Sequence, residues 1–387
     1  MVRSNGLTWA LLLALSFLVG CASLARPEPP PPPAIAQNDL QQAWFFQLAP
    51  GWQPGQRPER LTPQVSEGVV YVAHRLGQVA ALDAMTGQLI WQQQLSPLQA
   101  GVTLGNDRIY VIDQQGQLIT LRKDNGEEVR RSAMNVAVIA PPIVNEHRMI
   151  LLARDGSLRV WDLRTDSWIW IRDTEQPTLT LHGQMIPVLY DDLVIAGFAN
   201  GRLVAFDFRT GEEQWALRLS NPRGANDLQR LVDIDAQPVL VNDRLYAAGY
   251  EGILAAINPR TGEFVWQDSA SVLASLGTDG RSLFVAEYRG DIVSYALPSM
   301  AIQWRNQQYR GRPITAVTAS SEGIVLTDRQ GFVHLLDPNT GLTRGRFAMK
   351  GSQTFSVPAQ SHSAGFVVQS VQGLVLSGQY APASMNP

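Results

Sequence analysis

The sequence predicts an all-β chain folded as an eight-bladed β-propeller that is closed by an N-terminal strand. Three observations predict it. A glycine returns at Gly77, Gly116, Gly156, Gly201, Gly252, Gly290, Gly331 and Gly373, at intervals of 39, 40, 45, 51, 38, 41 and 42 residues, the period of a four-stranded blade. In five units a second glycine follows ten residues later (77/87, 116/126, 201/211, 252/262 and 331/341), which leaves room for one strand between two tight turns that need positive φ. A tryptophan then stands four positions past the second glycine at Trp91, Trp215 and Trp266.

The first unit shows how these pieces fit together. Gly68-Val-Val-Tyr-Val-Ala73 reads as a strand, Gly77 as the turn, Gln78-Val-Ala-Ala-Leu-Asp83 as a second strand, and the strand after Gly87 carries Trp91. The second turns are near copies of one another: Asp83-Ala-Met-Thr-Gly87, Asp207-Phe-Arg-Thr-Gly211, Asn258-Pro-Arg-Thr-Gly262 and Asp337-Pro-Asn-Thr-Gly341. An Asp or Asn opening such a loop accepts backbone N–H groups and holds the reversal. Trp170 and Trp304 keep the tryptophan position in units whose glycine has become Asp166 and Met300, whereas Arg130 and Gly345 depart from it. A large flat ring at a fixed point of each blade suits the packing of one twisted sheet on the next.

The last unit ends at Leu374-Val-Leu-Ser377 without a Trp-bearing strand, and Ala43-Trp44-Phe-Phe-Gln-Leu48 looks like the missing piece. The N-terminal strand is therefore expected to complete the final blade and remove the free edges of an open array. Eight units of about 40 residues fill the interval from 41 to 380, with a short tail at 381–387. A hydrophobic content of 45 % with 17 % charged residues suits a large β core, and a net charge of −3 gives no footprint for nucleic acid.

The N-terminus has a separate logic. Arg3 is followed by the apolar run Leu7 to Val19 and by Leu18-Val19-Gly20-Cys21. The run is short for a membrane span and reads as a signal peptide over 1–20. Leu-Val-Gly-Cys resembles the bacterial lipobox, which implies cleavage before Cys21 and lipidation of its thiol (N-palmitoyl, S-diacylglycerol). Cys21 is the sole cysteine, so no disulfide forms within the chain. Position 22 is alanine, not the aspartate that retains enterobacterial lipoproteins in the inner membrane. By that likeness the mature chain is lipid-anchored on the periplasmic face of the cell outer membrane. Residues 21–40, with Pro27 and Pro29 to Pro33, form a tether. In polyproline II geometry it reaches up to ~60 Å, as a stiff spacer or as a proline-motif ligand.

Motifs of chemistry are sparse. His74, His147, His182, His334 and His362 are scattered without metal-ligand spacing, and there is no Gly-x-Ser-x-Gly elbow and no phosphate-cradling loop. The Asp-x-x-Thr-Gly-x-x-x-Trp signature resembles the PQQ-like repeat of the quinoprotein dehydrogenases. Those enzymes hold a quinone over calcium with acidic and amide ligands and commonly a vicinal disulfide, which one cysteine cannot supply. The likeness thus covers the scaffold and not the active site. The alternative it leaves is a quinoprotein-like dehydrogenase or a small-ligand binder using the central channel. Trp161-Asp162 is a single WD dipeptide without the repeating Gly-His partner.

The two longest intervals flank the fourth unit, so extra residues fall between Trp170 and Leu193 and between Trp215 and Arg244. Insertions in a propeller map to loops, and loops on a rigid scaffold carry recognition. The first holds Gln176-Pro-Thr-Leu-Thr-Leu-His-Gly183 and the second Leu228-Gln-Arg-Leu-Val-Asp-Ile-Asp-Ala-Gln-Pro238. From the residues alone, Leu179 and Leu181 fit an inward strand face as well as an exposed apolar anchor, and Asp233 and Asp235 fit turn caps as well as a binding site.

Lipobox, eight quinoprotein-type blades, the Leu-x-Leu loop and the Arg-Leu-x-Asp-x-Asp-x-x-Pro segment together resemble the BamB family, the lipoprotein subunit of the outer-membrane β-barrel assembly (BAM) machinery. The likeness spans the whole mature chain, and the Arg-Leu-x-Asp-x-Asp segment is its most specific part. It implies a non-catalytic scaffold without a cofactor. Its implied partner is BamA, contacted through the POTRA domains, with the rest of the complex joined through it. The residues implicated map to Leu179, Leu181, His182, Asp233 and Asp235. Blade edges pairing with unfolded barrel substrates would be a further role. His182 stands where the family often has arginine. An imidazole lacks the guanidinium fork and is largely neutral near pH 7.

Overall fold

The computed structural model describes residues 29–35, 37–49, 61–138, 140–174, 185–220, 234, 236–320, 322–349, 354–355 and 357–381. Among them lie eight four-stranded antiparallel sheets. In blade 1 the strands are Gln64–Ser66, Val69–Ala73, Gln78–Asp83 and Leu89–Gln94, hydrogen-bonded in that order. Blades 2 to 7 repeat this plan over 98–133, 143–172, 188–218, 239–270, 277–306 and 314–348. The middle two strands of each blade are nearly continuous in apolar residues. Both of their faces are covered by neighbouring blades, and in Val69–Ala73 every residue after Val69 is buried. The innermost strand is seven residues long in blades 2 and 7 (Leu98–Leu104 and Ile314–Ser320) but only three in blade 1 and two in blade 6 (Gly277–Thr278), too short there to show a period in sequence.

The final blade closes as expected. Leu40–Gln47 pairs antiparallel with Leu374–Tyr380, Trp44 facing Ser377, beside Gly365–Gln369 and Gln360–His362. Asn38 tightens the closure, its Oδ1 accepting Arg346 N–H at 2.8 Å. Asp39 adds an ion pair with Arg344 at 3.2 Å.

The tryptophans show how blades lock together. Trp44, Trp91, Trp170, Trp215 and Trp304 each lie over the second turn of the next blade. Their Nε1 groups donate to the carbonyls of Ala84, Lys123, Phe208, Pro259 and Pro338 at 2.9–3.1 Å. The turn residue beneath the ring has to be glycine: a Cβ on Gly211 would sit 2.7 Å from Trp170 Cδ2 and one on Gly262 2.6 Å from Trp215 Cδ2. The opening Asp holds the turn as expected, Asp207 Oδ1 accepting the N–H groups of Arg209 and Thr210 at 2.8 and 2.7 Å. Trp266 instead meets Tyr295 edge-on at 5.9 Å, in a cluster with Met300, which keeps the turn's positive φ of 58° without being glycine.

Both departures from the tryptophan position have a structural reason. Arg130 pairs with Asp166, which stands where blade 3 lacks its turn glycine, and donates from Nη1 to Leu163 O at 3.0 Å. The guanidinium thus takes the carbonyl that an indole takes elsewhere. Gly345 faces the final blade, which has no second turn because its outer strand comes from the N-terminus. A Cβ there would lie 2.7 Å from Leu40 Cβ.

Candidate functional site

In each blade the first turn and the connection to the next blade share one face, because four antiparallel strands alternate direction. The segment 175–184 joins the outer strand of blade 3 to the inner strand of blade 4, and 221–233 joins blades 4 and 5 in the same way. Leu179, Leu181, His182, Asp233 and Asp235 lie outside the described residues, as does Cys21. What the structure does place is the roots of both segments.

At the outer end of the first segment, Thr174 Oγ1 donates to Gly156 O in the first turn of blade 3 at 2.8 Å. At the outer end of the second, Ser220 Oγ donates to Tyr250 O in the first turn of blade 5 at 2.9 Å. Their inner ends converge. Met185 and Ile234 are each 1 % exposed and share a core cluster between blades 4 and 5. Both press on Gly197, where an added Cβ would fall 2.5 Å from Met185 Sδ and 2.9 Å from Ile234 Cγ2. Immediately beyond, Ile186 N donates to Gln237 Oε1 at 2.7 Å, and Gln237 Nε2 donates back to Ile186 O at 3.1 Å. This two-way clasp fastens the return of one segment to the return of the other. Little in the sequence signals it, since Met185 and Gly197 belong to no motif and Gln237 is an unspecified position of the Arg-Leu-x-Asp-x-Asp-x-x-Pro segment.

The same face carries an aromatic pair that sequence reading missed. Tyr250 and Tyr288 meet edge-on at 5.4 Å in the first turns of blades 5 and 6, and Tyr288 is 59 % exposed. Both stand two residues before the turn glycine, a register visible in sequence. Burial raises the Tyr250 phenol above its ordinary value, and Glu251 adds to the effect, so the hydroxyl stays a neutral donor.

The inner strands line a cavity of about 590 Å³ walled by Gln64, Gln237, Val239, Thr278, Val317 and Gln360, among others. Among the described residues that line it, none is charged. The described lining offers amides and hydroxyls and no carboxylate to balance a calcium ion, so these residues do not fit the quinone–calcium site of the quinoprotein enzymes. Among the described residues, no three His, Cys, Asp or Glu side chains converge as they would around a metal.

Comparison with known proteins decides the family. The sequence profile described as outer membrane protein assembly factor BamB matches residues 34–96 and 75–306. This chain belongs to the BamB family of outer membrane protein assembly factors. The BamB of Aliivibrio fischeri is 34 % identical over 332 residues, covering 84 % of this chain and 86 % of that protein. The BamB of Shewanella oneidensis is 27 % identical over 363 residues, covering 89 % and 91 %. In fold, the chain is similar to the BamB crystal structure from Moraxella catarrhalis, with a TM-score of 0.77, 24 % identity and coverage of 88 % of this chain and 100 % of that one. A quinohemoprotein alcohol dehydrogenase from Comamonas testosteroni shares the fold at a TM-score of 0.70, with 12 % identity and coverage of 90 % and 78 %. The PQQ-like repeat expected from the turn signature is thus the family's own scaffold.

Proposed function

We propose that this BamB-family chain is a non-catalytic scaffold of the outer-membrane assembly complex, held on the periplasmic face by lipid on Cys21. It binds the POTRA domains of BamA through the two enlarged connections beside blade 4. Leu179 and Leu181 are its apolar anchors, and His182, Asp233 and Asp235 its polar partners. The observation that carries this reading is the Ile186–Gln237 clasp, which roots both connections at one point. Residues from two separate stretches of chain then act as one patch, as a hot spot with a polar rim requires. Tyr288, exposed on the same face, extends that patch with the residue type enriched at interface centres.

The non-catalytic reading is supported by the likeness to proteins named as assembly factors, and the described residues lining the central cavity supply neither a general base nor a carboxylate ligand. The test is co-purification of BamA from detergent-solubilised outer membranes with Leu179→Glu/Asp233→Lys. BamA is expected to be lost while the melting temperature of the variant stays that of the parent. Undiminished recovery of BamA would discard the site.

A further inference from the structure

The junction between blades 2 and 3 differs from the others in a way that leaves space. At five junctions an indole fills the gap over the next turn and donates to the carbonyl that follows the turn's first residue. Between blades 2 and 3 that carbonyl, Leu163 O, accepts from Arg130 instead, and Asp166 occupies the glycine position with φ 53°. Ser132 Oγ donates to Asp166 Oδ1 at 2.9 Å and fixes the carboxylate. A guanidinium on a thin stem does not fill what an indole fills. A cavity of about 250 Å³ remains, walled by Tyr110, Leu118, Val129 and Leu163 with Arg108, Arg130 and Asp166 at its polar side.

We propose that this slot receives an aromatic side chain, tryptophan or tyrosine, presented by a partner polypeptide. The occupant class follows from the fold's own template, because the same frame seats an indole in five other places. The chemistry of the slot agrees. The two guanidiniums offer cationic faces to a π-system, and the Asp166 carboxylate offers an acceptor to an N–H or O–H on the ring edge. An aliphatic side chain would leave both kinds of group unmatched. Arg130 and Asp166 keep 38 % and 34 % of their side-chain surface in water, and Val129 at the rim is 48 % exposed, so the slot is open to an incoming ring. It belongs to the second-turn face, opposite the first turns against which Thr174 and Ser220 root the enlarged connections. A chain engaged through blade 4 therefore keeps it free, and its failure would leave the proposed BamA surface untouched.

The test uses the mature protein and N-acetyl-5-fluorotryptophanamide, followed by ¹⁹F NMR, with N-acetylleucinamide as competitor. Saturable binding with Kd on the order of 1 mM is expected for a single ring, unaffected by the leucine compound. Arg130→Trp/Asp166→Gly, which rebuilds the lock of the other junctions, should weaken binding at least ~10-fold while raising the melting temperature. Val129→Glu, whose carboxylate would pair with the guanidiniums at the mouth, should weaken it similarly without touching the interior, and it decides the matter if the double variant does not fold. Absence of saturable binding to the parent would overturn the proposal. So would displacement by the leucine compound, or undiminished binding in a folded filled variant.

Discussion

If the indole over the turn is what forbids a side chain at the second-turn glycine, substituting that glycine must cost more than its backbone conformation explains. Gly211 and Gly68 separate the two contributions. Both have positive φ, 71° and 77°, but a Cβ on Gly68 meets nothing within 4 Å, whereas one on Gly211 lies 2.7 Å from Trp170 Cδ2 and 3.0 Å from two further ring atoms. Gly68→Ala therefore bears only the left-handed penalty, about 1–2 kcal/mol. Gly211→Ala adds the displacement of a ring that is 6 % exposed and hydrogen-bonded to Phe208 O. Ordinary carbon contacts lie near 3.5–4.0 Å, so the ring has to retreat by roughly 1 Å. Overpacking of that size adds about 1–3 kcal/mol, for a total of about 2–5 kcal/mol. The assay is urea unfolding of the parent, the two alanine variants, Trp170→Ala and Trp170→Ala/Gly211→Ala. Without the ring, the Gly211 substitution should fall back to the cost seen at Gly68, a coupling of at least about 1 kcal/mol. Equal costs at Gly68 and Gly211, or a coupling near zero, would refute the lock.

Three further outcomes are expected. Gly345→Trp, which makes blade 7 look like its neighbours, should destabilise the closure, because the space beside Gly345 is taken by Leu40 and Asn38; limited proteolysis should then release the N-terminal strand first. Gln237→Leu removes both arms of the clasp and leaves two backbone groups of Ile186 unpartnered, a loss of about 1–3 kcal/mol read by thermal unfolding, accompanied by weaker recovery of BamA. His74, His334 and His362 are all held below the ordinary imidazole value, first of all by burial. The unfolded chain therefore takes up protons before the folded one does, and stability present above pH 6.5 is lost as the pH falls below it. Thermal unfolding at pH 7.5 and 5.5 reads this directly, and a flat profile would contradict it. Asp83 and Asp207, whose carboxyls are lowered chiefly by their bonds to Thr86 and Thr210, act in a separate window below about pH 4.

Much of the architecture was legible because a repeat states its own rule many times. The glycine pairs marked the turns, Asp83 and its equivalents marked how those turns are held, and the unit lacking a tryptophan pointed to Trp44. The departures from the rule were harder to interpret. Arg130 and Asp166 each look like a lapse when read along the chain, since 36 residues separate them (166 − 130) and only the folded junction shows that one answers the other. Gly345 is explained by a strand that begins some 300 residues upstream, at Leu40. The two- and three-residue innermost strands left no period to detect. At the proposed BamA surface, the length of the two connections was visible in the spacing of glycines. Their roots were not, because Met185, Ile234 and Gln237 act through burial and a side-chain-to-backbone exchange that no spacing encodes.

The closure by Leu40–Gln47 has a temporal consequence. The first strand made during synthesis finds its mate last, since Phe45 pairs with Leu376, 331 positions later (376 − 45). Until then, the last sheet has three strands with Leu374–Tyr380 as an open edge, while Leu40–Gln47 lacks its partner, and such edges invite mispairing with other chains. Finishing the circle is thus a single late event that depends on the entire length of polypeptide. A nascent or truncated product gains little of the stability that the intact circle confers.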